Sequence, residues 1–237
     1  MLRIITFATQ KGGAGKTTLA TSFAVAAAEA GETVVLFDLD FQQSVMAWRE
    51  ARQQPKSTSN PNPVRVPNRP IVEPYPADKL PMMSRMLKSL EGKGVTLVVL
   101  DTPGAANATV NAALAASDFV VIPLAPTRID LGAVRPTVQA VLRTSSKFGF
   151  VLNNCPPQPN NPRPEKMATG LSTIGPVAPV RIIRRADYQD AYAEGKGVTE
   201  WAPDSPAAQE VRQLLQWINE QTKGQSLEQA PSLAIGF

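Results

Sequence analysis

At 237 residues, 43% hydrophobic and with a net charge of +4, the chain is long enough to bury the core of one α/β domain, and its mild basic excess permits anionic partners without requiring them. It has no histidine and a single cysteine, Cys155, which excludes histidine acid–base catalysis, histidine metal ligation and an intrachain disulfide framework. It also lacks the roughly 18-residue apolar run of a membrane span and the pattern of a signal peptide, so a reducing cytoplasm fits. In chain order, a first strand is predicted over residues 2–8, followed by a glycine-rich loop and an alanine-rich helix over 16–31 that stops at Gly31. A second strand (33–40) leads to a helix (41–54) that ends before Pro55. Seven prolines between 55 and 76 predict a surface loop, with 55–70 its irregular part, feeding a short strand in RPIVEPYP.

A helix over 77–94, strands at 95–102 and 118–125, a helix over 130–146 and a strand over 147–154 continue the alternation. A second proline-rich loop (153–166) follows, and a last helix (205–224) opens with Ser205 as N-cap and Pro206 at its first position. The apolar, β-branched strands read as covered on both faces. Strands alternating with helices predict a mostly parallel, twisted sheet with helices on both faces. The expectation is one α/β domain over 1–223 and a frayed tail over 224–237.

The loop QKGGAGKTT follows a strand and opens a helix, the setting in which glycines let backbone N–H groups turn toward phosphate oxygens. Lys16 is placed to reach the β- and γ-phosphates, Thr17 to bind Mg²⁺ and Thr18 to contact the α-phosphate. The general pattern G-x-x-x-x-G-K-S/T fails, because Gln10 stands at its first glycine. A glycine turn bearing two solvated lysines is the bland alternative. LFDLDFQQS brings Asp38 and Asp40 to the carboxyl end of the second strand, the edge where parallel sheets bind ligands. TLVVLDTPG brings Asp101 to the end of another. A bland role for Asp40 is helix capping.

With K-G-G-x-G-K-T at residues 11–17, the sequence resembles the deviant Walker A ATPases of the ParA/MinD superfamily, most closely the small ParA-type partition ATPases. The resemblance covers nearly the whole chain and is strongest at 1–44, 96–104 and 179–210. It implies a single-domain P-loop ATPase that uses ATP and Mg²⁺. It places the nucleotide on Lys11, Gly12, Gly13, Ala14, Gly15, Lys16, Thr17 and Thr18. It further implies that Lys11 crosses a dimer interface to the phosphates held by the partner subunit. By the same resemblance Lys11, Lys16 and Asp40 are catalytic, with Asp40 orienting the attacking water. Thr17, Asp38 and Asp101 would hold the metal shell, and Thr102, Pro103 and Gly104 form a switch that senses the γ-phosphate. Asn153 or Asn154 would read the adenine, or else both support a turn. Phe41 departs from the family, standing where its D-x-D-P-Q motif has proline.

The C-terminal stretch PVRIIRRADYQDAY resembles the part of ParA proteins in which an arginine contributes to nonspecific binding of double-stranded DNA. Arg185 matches that position, with Arg181 and Arg184 beside it; a solvated face diluted by Asp187, Asp190 and Glu194 is the alternative. The resemblance implies an ATP-state homodimer on nucleoid DNA in the cytoplasm. A ParB-type centromere-binding or adaptor protein would stimulate slow hydrolysis, and the cycle would segregate plasmid or chromosomal DNA. The chain begins at its first strand, so no N-terminal operator-reading domain is expected. The tail lacks the basic amphipathic helix with which MinD relatives bind membrane. The same engine could instead position a protein cargo, such as a microcompartment or chemoreceptor cluster, or assist DNA transfer. A metabolic P-loop enzyme resembling dethiobiotin synthetase is the alternative from another class.

Overall fold

The computed structural model describes residues 1–53, 69–144 and 146–223. Most of the predicted proline-rich loop at 55–70 and the whole tail 224–237 therefore lie outside the described residues. The strands are β1 (Arg3–Phe7), β2 (Val34–Asp38), β3 (Ile71–Pro74), β4 (Leu97–Asp101), β5 (Phe119–Leu124) and β6 (Lys147–Leu152). They form a six-stranded sheet in the order β3-β2-β4-β1-β5-β6, with every pairing parallel. β2, β4 and β5 are buried along their whole length, as their unbroken apolar runs require.

The helices are α1 (Lys16–Glu29), α2 (Ser44–Gln53), α3 (Met83–Ser89), α4 (Ala108–Ala116), α5 (Arg128–Leu142), α6 (Arg163–Ser172), α7 (Ala186–Ala193), α8 (Val198–Trp201) and α9 (Pro206–Thr222). α1 explains its own composition. It lies between the sheet and α8–α9, and its Ala20, Ala24, Ala27 and Ala28 are all buried. A helix covered on both sides needs small side chains for close approach and has no polar face to show. α9 has the predicted start, with Ser205 Oγ accepting from the Ala208 N–H at 3.1 Å and Pro206 as first residue.

Three expectations are corrected. The helix predicted over 77–94 is broken into a 3₁₀ turn (Ala77–Met82), α3 and a second 3₁₀ turn (Glu91–Lys93). Pro81 sits in the first turn, and its missing N–H keeps that segment from joining α3 in one ladder. The helix predicted from 41 begins only at Ser44, because residues 40–43 form a side-chain-bonded turn. The helix predicted from 130 starts at Arg128, where Thr127 caps it, and runs through Pro136 to Leu142. α4, α6, α7 and α8 lie in stretches where no helix was expected. They are short, and their packing rather than their propensity holds them.

The sheet register sets the functional edge. Phe7 and Asp38 both lie opposite Asp101, so β1, β2 and β4 end level with one another. Crossover connections leave from that edge, which brings the glycine loop, the Asp38–Ser44 turn and the segment after Asp101 together. α2 is pinned from behind. Arg52 makes a two-pronged ion pair with Glu200 of α8 at 2.7 Å on each prong, and Trp48 Nε1 donates to Lys196 O at 3.1 Å.

Candidate functional site

The loop between β1 and α1 takes left-handed backbone at Gly13 (φ 75°) and Gly15 (φ 81°), and nowhere else. Gln10 has no such requirement, so a glycine is not needed there; its N–H instead donates to Thr137 Oγ1 of α5 at 3.0 Å. Ala14 O accepts from Asn153 Nδ2 at 2.7 Å, and a side chain on Gly15 would collide with that same amide. Asn153 is buried and thus serves as a strut under the loop. Lys16, at the start of α1, is also buried and donates to Lys11 O at 3.1 Å. Burial lowers its pKa, an effect offset in part by the Asp101 and Asp40 carboxylates.

Three carboxylates close the other side. Asp38 is spent on the turn after β2: its Oδ1 accepts from Asp40 N–H at 3.0 Å and its Oδ2 from Met46 N–H at 3.1 Å. Burial nevertheless pushes its pKa up. Asp40 Oδ1 accepts from Gln42 N–H, and Gln43 N–H returns to Asp40 O at 2.9 Å with a left-handed Gln43 (φ 53°). These bonds shape the turn without a proline, and Phe41 stands out from it, 83% exposed. The Tyr192 hydroxyl of α7 donates to Ser44 O at 2.6 Å and braces the turn from the far end of the chain.

Asp101 is fully buried. Its Oδ2 accepts from Thr17 Oγ1 at 2.6 Å while its Oδ1 has no partner. Burial above all, then the Asp38 and Asp40 charges, push its pKa up to about 7, against the pull of Thr17 and Lys16. An orphaned carboxylate oxygen beside a hydroxyl is the fit expected of a divalent cation held through few protein ligands. Among the described residues no group of three or more acidic or cysteine side chains could cage a metal alone. A Mg²⁺ here would therefore rest on Thr17, water and phosphate oxygens, with Asp101 behind them. Thr102 donates to Phe7 O at 2.8 Å, fastening β4 to β1. A Cβ on Gly104 would stand 3.1 Å from the Gly12 nitrogen and 3.2 Å from Lys11 O, so a larger residue here would press this segment a few tenths of an ångström off the loop.

Together these residues line a cleft of about 480 Å³, walled by Gly12–Gly13, Gly15–Thr18, Asp40–Gln42, Ser44, Pro103–Ala105 and Tyr192. A smaller recess of about 270 Å³ adjoins it, lined by Thr18, Asn153, Asn154, Arg184, Gln189 and others. Asn154 is exposed there in left-handed conformation (φ 51°), which leaves its amide free of the strut role that Asn153 fills. Lys11 reaches neither space: its Nζ is paired with Asp130 Oδ2 of α5 at 2.7 Å. The three arginines part ways. Arg181 pairs with Glu165, Arg185 pairs with Glu210 at 3.0 Å, and Arg184 is the exposed one, at the mouth of the recess. Tyr192, Thr137 and Asp130 were absent from the sequence expectations. They stand far from the loop along the chain, in no motif, and only the packing of α5 and α7 brings them in.

A sequence profile described as VirC1 protein matches residues 2–144. A protein virC1 of Rhizobium radiobacter is 31% identical over 141 residues, covering 60% of this chain and 57% of its own length. The maintenance of carboxysome distribution protein A of Gloeobacter kilaueensis is 30% identical over 205 residues, covering 84% of this chain and 85% of its own. Among solved structures, the septum site-determining protein MinD of Pyrococcus horikoshii OT3, complexed with Mg-ADP, matches with a TM-score of 0.71. It shares 19% identity over 94% of this chain and 98% of that one, a likeness that bears on the fold alone.

Proposed function

The chain belongs to the VirC1 protein family and with it to the ParA/MinD-type ATPases, and from that premise we propose that it is an ATP-driven pairing switch that moves DNA. ATP is bound with Mg²⁺ and closes two protomers face to face. The pair holds double-stranded DNA without sequence preference, on the nucleoid in the cytoplasm. A centromere-binding partner of ParB type then stimulates hydrolysis and frees the protomers, which would segregate plasmid or chromosomal DNA. The observation that carries this reading is one cleft lined by Lys16, Thr17 and Asp40, with Asp101 bonded behind Thr17 and a second lysine, Lys11, on the same loop.

The chemistry follows from the residues. When bound, Mg²⁺ neutralises phosphate charge as it develops. Gly12–Lys16 cradle the phosphates through backbone N–H groups and the Lys16 ammonium. Asp40, held by its turn and flanked by exposed backbone, is placed to orient the attacking water and take its proton as the γ-phosphoryl–oxygen bond breaks. Gly104, lying on the loop at Gly12, is placed to register a third phosphate and carry that signal into the segment before α4. Asn154, with Arg184 and Gln189 around it, is the side chain placed to read the base.

Two measurements test this. Retention of a random-sequence duplex on a filter is expected with ATP and not with ADP or no nucleotide, falling steeply as salt rises. Lys11→Ala is expected to lose that retention while binding monomeric ATP as before; nucleotide-independent retention would refute the switch. Asp40→Ala is expected to hydrolyse ATP about a hundredfold more slowly, the scale of a lost general base. Sedimentation should find it trapped as an ATP-bound pair. Normal turnover in that variant would remove Asp40 from the chemistry.

A second reading shares the engine but changes the cargo. Likeness to a protein named for carboxysome distribution extends over most of this chain, further than the likeness to virC1. Two of the three arginines are, moreover, already neutralised by Glu165 and Glu210. In that case the switch would position a protein assembly through an adaptor. Capture of a coiled-coil adaptor instead of a DNA-binding partner would favour it.

A further inference from the structure

Lys11 is held, not solvated. Its ammonium lies 2.7 Å from Asp130 Oδ2, and the Asp130 side chain is 5% exposed where that of Lys11 is 31%. Asp130 is fixed in place independently of the lysine. Its N–H donates to Thr127 Oγ1 at 3.1 Å, and the Thr127 hydroxyl donates back to its carboxylate, closing the first turn of α5. The same helix grips the start of the loop a second time, through Gln10 N–H and Thr137. Burial alone would raise the Asp130 pKa. The hydrogen bonds from Lys11 and Thr127 outweigh it and hold the carboxyl below its usual range, so the group is ionised at neutral pH. A rigid, ionised carboxylate is thus already seated on the lysine that the pairing switch requires elsewhere.

We propose that Asp130 stores Lys11 in the free protomer and acts as a positioning residue for pairing, releasing the ammonium only to the phosphates of the opposite subunit's nucleotide. This rests on the role given to Lys11 above. The exchange sets a threshold. An ammonium leaves a fixed carboxylate only for a site of greater negative charge, and a triphosphate carries more than a diphosphate. Asp130 therefore contributes to the preference for ATP over ADP at the pairing step, without touching either nucleotide.

The test uses Asp130→Asn, which keeps an oxygen for the Thr127 hydroxyl but loses the charge. Asp130→Ser, which keeps a hydroxyl in that turn, serves if the first variant folds poorly. Acylation of Lys11 by an amine-reactive ester, read by peptide mass spectrometry on nucleotide-free protein, is expected to quicken about threefold, the scale of a freed, partly exposed ion pair. Pairing with ATP, read by sedimentation, is expected to tighten about tenfold, since two such pairs open per dimer. Pairing with ADP should become measurable. Asp130→Glu should restore the wild-type behaviour in both measurements. Unchanged acylation would show that Lys11 is not stored. Faster acylation with unaltered pairing in both nucleotides would show that storage does not set the threshold, and either result overturns the proposal. Lys11→Ala pairing like the wild type would remove the role of Lys11 in pairing instead, a failure that the acylation measurement separates from the first.

Discussion

Lys16→Ala is expected to bind ATP about a thousandfold more weakly, the scale on which removing one partner of a desolvated, hydrogen-bonded charge pair acts. The reason is the burial of the side chain. Lys16 is nearly enclosed at the start of α1, where its ammonium is held at a cost by Asp101, Asp40 and Lys11 O. A triphosphate in the cleft would supply the counter-charge that this position lacks. Titration of a fluorescent ATP analogue measures the loss. The empty variant should melt no lower than the wild type, because it sheds a desolvated cation. A variant that still bound ATP at wild-type strength would show that the loop backbone alone holds the phosphates.

Asp101→Asn is expected to have two large effects of opposite sign. Burial, the neighbouring Asp38 and Asp40 charges and the pull of Thr17 and Lys16 leave the Asp101 carboxyl near 7 in the nucleotide-free protein. In the unfolded chain it ionises at about 3.9. The folded protein thus keeps a proton that the unfolded chain releases, and the stability tied to that proton is present at about pH 4 and lost as pH rises toward about 7. Above that the full cost of a buried, half-satisfied carboxylate remains. The neutral amide avoids it, so Asp101→Asn should be more stable than the wild type by about 4 kcal/mol at pH 8 and nearly equal at pH 4. Denaturant titrations at the two pH values measure this. The variant should meanwhile lose the help of Mg²⁺ in nucleotide binding. In the wild type that help should grow up to about tenfold per pH unit below pH 7, as one proton leaves. Matching stability curves for the two proteins would show that Asp101 is ionised without cost.

Much of this site was legible along the chain. The phosphate loop, Asp38 and Asp40 at the end of β2 and Asp101 at the end of β4 are short-range features: each sits where a strand ends, and parallel strands carry their ends to one edge. The alanine-rich α1 and the Ser205–Pro206 start of α9 were legible for the same reason. The expectation for 77–94 went astray, and the helices at 186–201 were not foreseen, where local preference is weak. Pro81 broke a pattern that periodicity had joined, and α7 and α8 depend on α1, α2 and α9 beside them. Asn153 and Asn154 are adjacent and chemically identical, so composition offered no way to divide their roles. A buried strand end gave one to the loop and a left-handed turn gave the other to the recess.

Sequence alone pointed to the class of site, because glycine conformational freedom, a helix start and a lysine–threonine pair in that order suit a phosphate-binding loop. It also determined the fold class, through strands apolar on both faces alternating with helices. Only the tertiary structure decided the electrostatics. Lys11 faces Asp130, Arg181 and Arg185 are met by Glu165 and Glu210, and Asp101 is left with one oxygen unpartnered. Each of those outcomes depends on which charges lie within a few ångströms after folding. Charge energies vary steeply with distance and burial, and the order of residues along the chain fixes neither.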